Sequence, residues 1–304
     1  MLPAMLVGGE SAGGDLRAGD RVGRYRIEAR LGDGAAGVVF RAVREPDGLV
    51  VALKVLRAEL SQAAVYRRRF VHEARAASEV EHRHLVRVLE AGDADGHAFL
   101  AVEYVDGPTL AERLDGESGL PRDEILRLAS ELGAGLDALH GAGLVHRDVK
   151  PSNILLARDR GAMLGDFGLA KGRDYTVLTA PGAVVGTLDY LAPEIIRGAE
   201  AGPPSDIYAL GCVIFECMAG VPPFAGRSVL KVGLAHLRDE PPDPGAHRAD
   251  LPPMLGWAVL RALVKDPNRR PPTATAFAHM LRMAAYPEGD QVPGDADGPE
   301  PAGG

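Results

Sequence analysis

The run Val145-His146-Arg147-Asp148-Val149-Lys150-Pro151-Ser152-Asn153, followed by Asp166-Phe167-Gly168, constrains this chain more than any other feature. It sets a carboxylate, an ammonium and an amide at intervals of two and three residues, with a second carboxylate 18 residues beyond the first. Five specified positions in a chain of 304 residues coincide by chance roughly once in ten thousand. A polar loop between helices has no reason to repeat such spacing. The fold must therefore bring the two segments to one place, and the chemistry of their side chains is that of phosphoryl transfer.

Moving a γ-phosphoryl group onto a hydroxyl requires positioning, metal ions to offset charge, and a carboxylate to accept the hydroxyl proton. Asp148 suits the last task. Asn153 can return across the same loop and offer its amide oxygen to a metal, a ligand type that Mg²⁺ prefers. Lys150, two residues after Asp148, lies on the same side of an extended segment and can reach the transferring phosphate. Gly168 permits a sharp turn that aims Asp166 at a phosphate-bridging metal.

Nearer the N-terminus, Leu31-Gly32-Asp33-Gly34-Ala35-Ala36-Gly37-Val38-Val39-Phe40 fits the pattern G-x-G-x-x-G-x-V. Its flanks, Arg24–Ile27 and Val38–Val43, are β-prone, so two strands should surround a phosphate cover in which Gly32, Gly34 and Gly37 admit close backbone approach. No Gly-Lys-Ser/Thr follows, and a strand rather than a helix comes next, which separates it from a Walker A loop. Val50–Leu56 is an apolar strand interrupted by Lys54, and 19 residues later Glu73 falls in the helix-favouring stretch Arg69–Arg75.

These motifs together resemble the catalytic domain of bacterial eukaryotic-like (Hanks-type) serine/threonine protein kinases, over residues 21–286. The resemblance implies an α+β, two-lobed fold. A small β-rich N-lobe with one helix, the αC helix, should span about 21–102, a hinge about 103–107, and a mainly helical C-lobe about 108–286. It implies that Lys54 and Glu73 pair to hold the phosphates of ATP, and that the backbone at Glu103 and Val105 meets the adenine edge. Leu31, Val39, Ala52 and Leu155 are then expected to wall the base. Asp206 matches the acid that braces the catalytic loop, and Glu194 with Arg270 matches a buried ion pair on the substrate side. Asp-x-Lys at Lys150 and Gly186-Thr187 ahead of Ala192-Pro193-Glu194 resemble the serine/threonine branch. Arg147, beside the catalytic Asp148, is expected to be unpaired and to receive, with Lys171, a phosphate placed in trans on Thr176 or Thr179, Thr179 being the better candidate. The implied requirements are ATP and Mg²⁺ (or Mn²⁺), protein substrates, and a transient homodimer for self-phosphorylation. Two departures stand out: Ala35-Ala36 at the glycine-loop tip, and His82-Arg83 where relatives carry His-Pro.

Two helices are legible without the resemblance. Pro121 opens an amphipathic one to about His140, with Ile125, Leu128, Leu132, Leu136 and Leu139 at helical spacing. Ser205–Met218 is apolar on nearly all sides and belongs inside a lobe. A membrane span is disfavoured there by its length, by Glu216 and by Pro222-Pro223. With 46% hydrophobic residues the chain can bury a large core, and its net charge of −8 disfavours nucleic-acid binding. Cys212 and Cys217 on one buried helix point to a reducing, cytoplasmic setting, either for the whole protein or for the cytoplasmic part of a longer membrane protein. His82 and His84 are expected to be capping or surface residues. Residues 1–20 and 287–304, rich in Gly, Pro, Ala and Asp, are expected to be disordered. A pseudokinase would be favoured by loss of Lys54, Asp148, Asn153 or Asp166, and all are present. An antibiotic kinase would lack the Gly186–Glu194 segment.

Overall fold

The computed structural model describes residues 16–34, 37–57, 64–166, 188–246 and 248–286. Six antiparallel strands, β1 (Arg21–Val22), β2 (Tyr25–Asp33), β3 (Gly37–Arg44), β4 (Leu49–Leu56), β5 (Val88–Ala94) and β6 (His97–Glu103), form a sheet in the order β1-β2-β3-β4-β6-β5. Strand alternation sorts its side chains. Val38, Phe40, Val51, Leu53, Val55, Phe99 and Ala101 bury against one another on one face. Val39, Ala52, Lys54 and Val102 point to the other face and are only part-buried. The pairings Val39↔Lys54, Lys54↔Leu100 and Ala52↔Val102 keep these residues side by side.

Helix α1 (Ala64–Ser78) covers part of that second face. Phe70, Ala74 and Ala77, at helical spacing, join Leu56, Ala98 and Leu100 in one cluster. The chain after α1 then crosses to the other lobe, where the Val86 N–H donates to the Leu164 carbonyl at 2.9 Å and the Leu164 N–H to the His84 carbonyl at 2.9 Å. Leu164 ends the hairpin β7 (Ile154–Ala157) and β8 (Gly161–Leu164), so this crossing sets where Asp166 emerges.

His84 departs from expectation. It is 7% exposed and its Nδ1 lies 2.9 Å from the Ala162 carbonyl, making it an interior strut between the lobes rather than a surface residue. A buried imidazole needs such a partner, and local sequence cannot reveal a carbonyl supplied from 78 residues away.

The second lobe contains α2 (Leu110–Leu114), α3 (Arg122–Gly141), α4 (Pro193–Ile196), α5 (Pro203–Ala219), α6 (Val229–Arg238), α7 (Pro253–Ala262) and α8 (Ala274–Ala285). In α3, Ile125, Leu128, Leu132, Leu136 and Leu139 are buried as the periodicity predicts. Helix α5 is buried on nearly every side, including Cys212 and Cys217, and ends where Gly220 takes φ 74°. Burial pushes both thiols well above their ordinary pKa, so they stay protonated and inert.

Candidate active site

Between the lobes, the loop from His146 to Asn153 is held from below. One Asp206 carboxylate accepts the His146 N–H (2.8 Å) on one oxygen and the Arg147 N–H (2.9 Å) on the other. His140 Nε2 lies 2.8 Å from the first of those oxygens. This grip maintains an unfavourable backbone: Arg147 has φ 66°, a left-handed conformation that costs a non-glycine residue about 1–3 kcal/mol. The kink faces Asp148 into the cleft. His146 is fully buried, and burial holds its imidazole below the ordinary pKa. As a neutral ring it receives the Asp148 N–H on Nδ1 (3.3 Å) and presents Nε2 to the Gly165 carbonyl (3.1 Å), which ties the loop to the segment carrying Asp166.

Asp148 is bracketed by its two predicted companions. Lys150 Nζ lies 2.9 Å from Oδ2, and Asn153 Nδ2 donates to the same oxygen at 3.0 Å and to the Asp148 carbonyl at 2.8 Å. With its nitrogen committed, Asn153 has its amide oxygen left as the ligand atom. Asp166, with φ 50°, carries its carboxylate into the same cleft. An amide oxygen and a carboxylate are both hard donors, so this pair fits a small divalent cation that also keeps water and phosphate oxygens. Phe167, Gly168, Lys171, Thr176, Thr179 and Thr187 lie outside the described residues.

Two expected pairings are different in the structure. Lys54 does not meet Glu73; it pairs with Asp166. Glu73 instead binds Arg147, Nη1 to Oε2 at 3.0 Å. Arg147 is therefore not an unpaired guanidinium. Glu73 has two cations within the same cleft, and the position of α1 relative to the lower lobe, not local sequence, selects between them.

The glycine loop also divides in two. A Cβ on Gly37 would sit 2.2 Å from the Val55 carbonyl oxygen, so that residue is glycine because β3 and β4 pack there, not to admit phosphate. Among the described residues nothing lies within 4 Å of a Cβ built on Gly32, and at Gly34 only the Gly37 carbonyl does, at 3.6 Å. Among the described residues, no packing contact requires glycine at those two positions.

At the back of the cleft, Val102 and Leu155 pack on a small cluster of Val86, Val105, Ala157 and Met163. Val39 and Ala52 lie on the sheet face above, and Leu31 is 47% exposed near the loop. The Glu103 N–H donates to the Arg87 carbonyl at 2.9 Å, so a contact from Glu103 to a base has to use its carbonyl. Its side chain accepts the Arg87 N–H (2.9 Å) and Arg160 Nη1 (3.0 Å), fastening the hinge to the β7–β8 turn. Nothing in the local sequence signals the Arg160 contact, because it spans 57 residues.

Deeper in the second lobe, Glu194 and Arg270 form two parallel hydrogen bonds of 2.7 Å, with Ser205 Oγ donating to Glu194 at 2.8 Å. The Arg270 side chain is wholly buried.

Two lobes joined at a hinge, with a carboxylate, an amide and an ammonium on one loop facing a second carboxylate, define a phosphotransferase cleft. The sequence profile of the protein kinase domain family matches residues 25–281, and the chain belongs to that family. It is 40% identical over 270 residues to serine/threonine-protein kinase pkn3 of Myxococcus xanthus, covering 85% of this chain and 49% of that protein. To serine/threonine-protein kinase PknH of Mycobacterium tuberculosis it is 36% identical over 272 residues, covering 90% and 43%. The chain thus spans about half the length, or less, of these curated relatives. Among solved structures, the M. tuberculosis PknI kinase domain superposes with a TM-score of 0.73 at 30% identity, over 89% of this chain and 99% of that one. Among the described residues, no helix is long and apolar enough to cross a membrane.

Proposed function

We propose that the protein transfers the γ-phosphoryl group of ATP to serine and threonine hydroxyls of other proteins. The observation that carries this reading is the placement of Lys150 and Asn153 each within 3.0 Å of Asp148 on a loop opposite Lys54 and Asp166. Asp148 accepts the proton of the incoming hydroxyl and orients it. Lys150, already beside Asp148, steadies the transferring phosphate. Lys54 engages the α- and β-phosphates, the backbone of Gly32 and Gly34 lies over them, and Val39, Ala52, Val105 and Leu155 enclose the base. A divalent cation, Mg²⁺ or Mn²⁺, held by Asn153 and Asp166 supplies charge neutralisation at the phosphate oxygens.

Control then follows from the Glu73–Arg147 pair. With Glu73 on Arg147, Lys54 has Asp166 as its partner, and the metal ligand is engaged. A phosphate placed in trans on Thr176 or Thr179, assisted by Lys171, competes for Arg147 as a doubly charged acceptor. Glu73 is thereby released to Lys54, and Asp166 to the metal. Thr187, Glu194 and Arg270 support the acceptor segment.

The test is transfer of labelled phosphate from ATP by the purified protein, with Mg²⁺ and Mn²⁺ compared and Asp148→Asn as control. Acid-stable phosphoserine or phosphothreonine is expected. Absence of transfer with either metal, after the protein has been shown to be folded, overturns the reading.

A further inference from the structure

Helix α6 has one face inside and one face outside. Val232, Gly233, Ala235 and His236 are buried, and Val232 packs with Leu188, Leu191 and Ile195 in the segment leading into Glu194. The other face carries Leu230 (68% exposed), Lys231, Leu234 (41% exposed) and Arg238, spaced as a single helical stripe, with Arg227 just before the helix. Arg227, Lys231, Leu234, Ala235, Arg238 and Asp239 line a surface cavity of about 470 Å³. The acid in that lining, Asp239, is already paired with Arg227. Among the described residues no acid pairs with Lys231 or Arg238.

This combination is unusual for the molecule in two ways. The chain as a whole has a net charge of −8, yet here two cations without an acid partner among the described residues stand together with a third. Solvent-facing leucines on adjacent turns normally require cover, and an apolar patch rimmed by charge marks a contact surface. We propose that the α6 face docks acidic protein substrates, through a segment that places an apolar side chain against Leu230 and Leu234 and carboxylates against Lys231 and Arg238. Charge complementarity selects this occupant: polyanionic nucleic acid has no apolar group for the leucines, and a basic protein is repelled. The location makes docking productive, because the buried side of the same helix packs on the segment that supports the acceptor. The proposal rests on the protein-kinase reading and gives its substrate a chemical class.

The experiment compares wild type with Leu230→Asp/Leu234→Asp and Lys231→Glu/Arg238→Glu, all at exposed positions. Dephosphorylated casein serves as an acidic protein, histone as a basic one, and a short neutral Thr peptide as an acceptor too small to dock. KM for casein should rise about tenfold or more in both variants, while kcat, KM for ATP and KM for the peptide stay unchanged. Raised ionic strength should weaken casein use by wild type and, by screening the new repulsion, restore part of it in the charge-reversed variant. Unchanged KM for casein, an equal change for histone, or a shift in sedimentation coefficient that marks a second copy as the occupant each overturn it. Binding of fluorescein-labelled casein without ATP separates the two readings. Binding that the variants lose, with no phosphate transfer, keeps the docking face and removes the kinase reading; transfer and binding indifferent to α6 do the reverse.

Discussion

Replacing Arg270 by leucine should remove a large part of the margin that keeps the lower lobe folded. All five guanidinium N–H groups are committed: Nε to the Val264 carbonyl (2.9 Å), Nη1 to Glu194 and the Pro204 carbonyl (both 2.7 Å), and Nη2 to Glu194 (2.7 Å) and the Lys265 carbonyl (3.3 Å). The guanidinium also stacks 4.8 Å from the Tyr208 ring centroid. Leucine leaves Glu194 a nearly buried, unpaired charge, and breaking one side of such a pair costs about 3–5 kcal/mol. Against a total stability of about 5–15 kcal/mol, that loss is large. Arg270→Leu/Glu194→Leu, which removes both charges, should be less destabilised than Arg270→Leu alone. Guanidinium unfolding at neutral pH, read as a double-mutant cycle, measures both quantities. The pH dependence has a definite sign. Burial, the largest single influence, raises the Glu194 pKa, but the Arg270 hydrogen bonds and charge, joined by a backbone N–H and Ser205, together outweigh it and leave the pKa below its ordinary 4.5. The pair's contribution is therefore complete above about pH 4.5 and is lost as pH falls through the depressed folded value. A cost below about 1 kcal/mol for Arg270→Leu, or a double variant as weak as the two single losses added, would refute the reasoning.

Lys54→Met and Asp166→Asn should each abolish phosphate transfer while shifting the thermal midpoint by only about 2 °C, since their ion pair is partly exposed; assay and melt together decide this, and either variant turning over at the wild-type rate removes the site assignment. Asp148→Asn should lower kcat by about 10²–10⁴-fold with ATP affinity retained, measured by steady-state kinetics beside calorimetry; loss of ATP binding at unchanged turnover would contradict the base role. In a Thr176→Ala/Thr179→Ala background, Arg147→Gln should tighten ATP binding by freeing Glu73 for Lys54; an unchanged Kd would show that Arg147 does not compete for Glu73. His236 is buried against Tyr208, and burial drops its pKa to about 3, so its neutral form contributes stability that is complete above about pH 6.5 and is lost as pH falls towards 3. Denaturant midpoints between pH 7 and 4.5 should therefore slope less in His236→Gln than in wild type; equal slopes would refute it.

Much of this was legible in the order of residues because the relations are short. Asp148, Lys150 and Asn153 are bound to one loop, so their spacing alone brings them together, and the period of Ile125 to Leu139 dictates a buried stripe whatever lies opposite. Asp206, Glu194 and Arg270 became legible only through resemblance to a family, since nothing local says which distant backbone or charge they meet. The tertiary structure decided every case in which several partners compete. Glu73 has Lys54 and Arg147 to choose from, and the placement of α1 over the lower lobe awards it to Arg147. Gly37 matches a phosphate-binding pattern, but the approach of Val55 from the next strand is what excludes a side chain. His84 reads as surface until the Ala162 carbonyl arrives from the far lobe. Short-range covalent spacing is settled by sequence, whereas the choice among partners depends on the relative position of elements far apart in the chain, which only the packing of the whole core fixes.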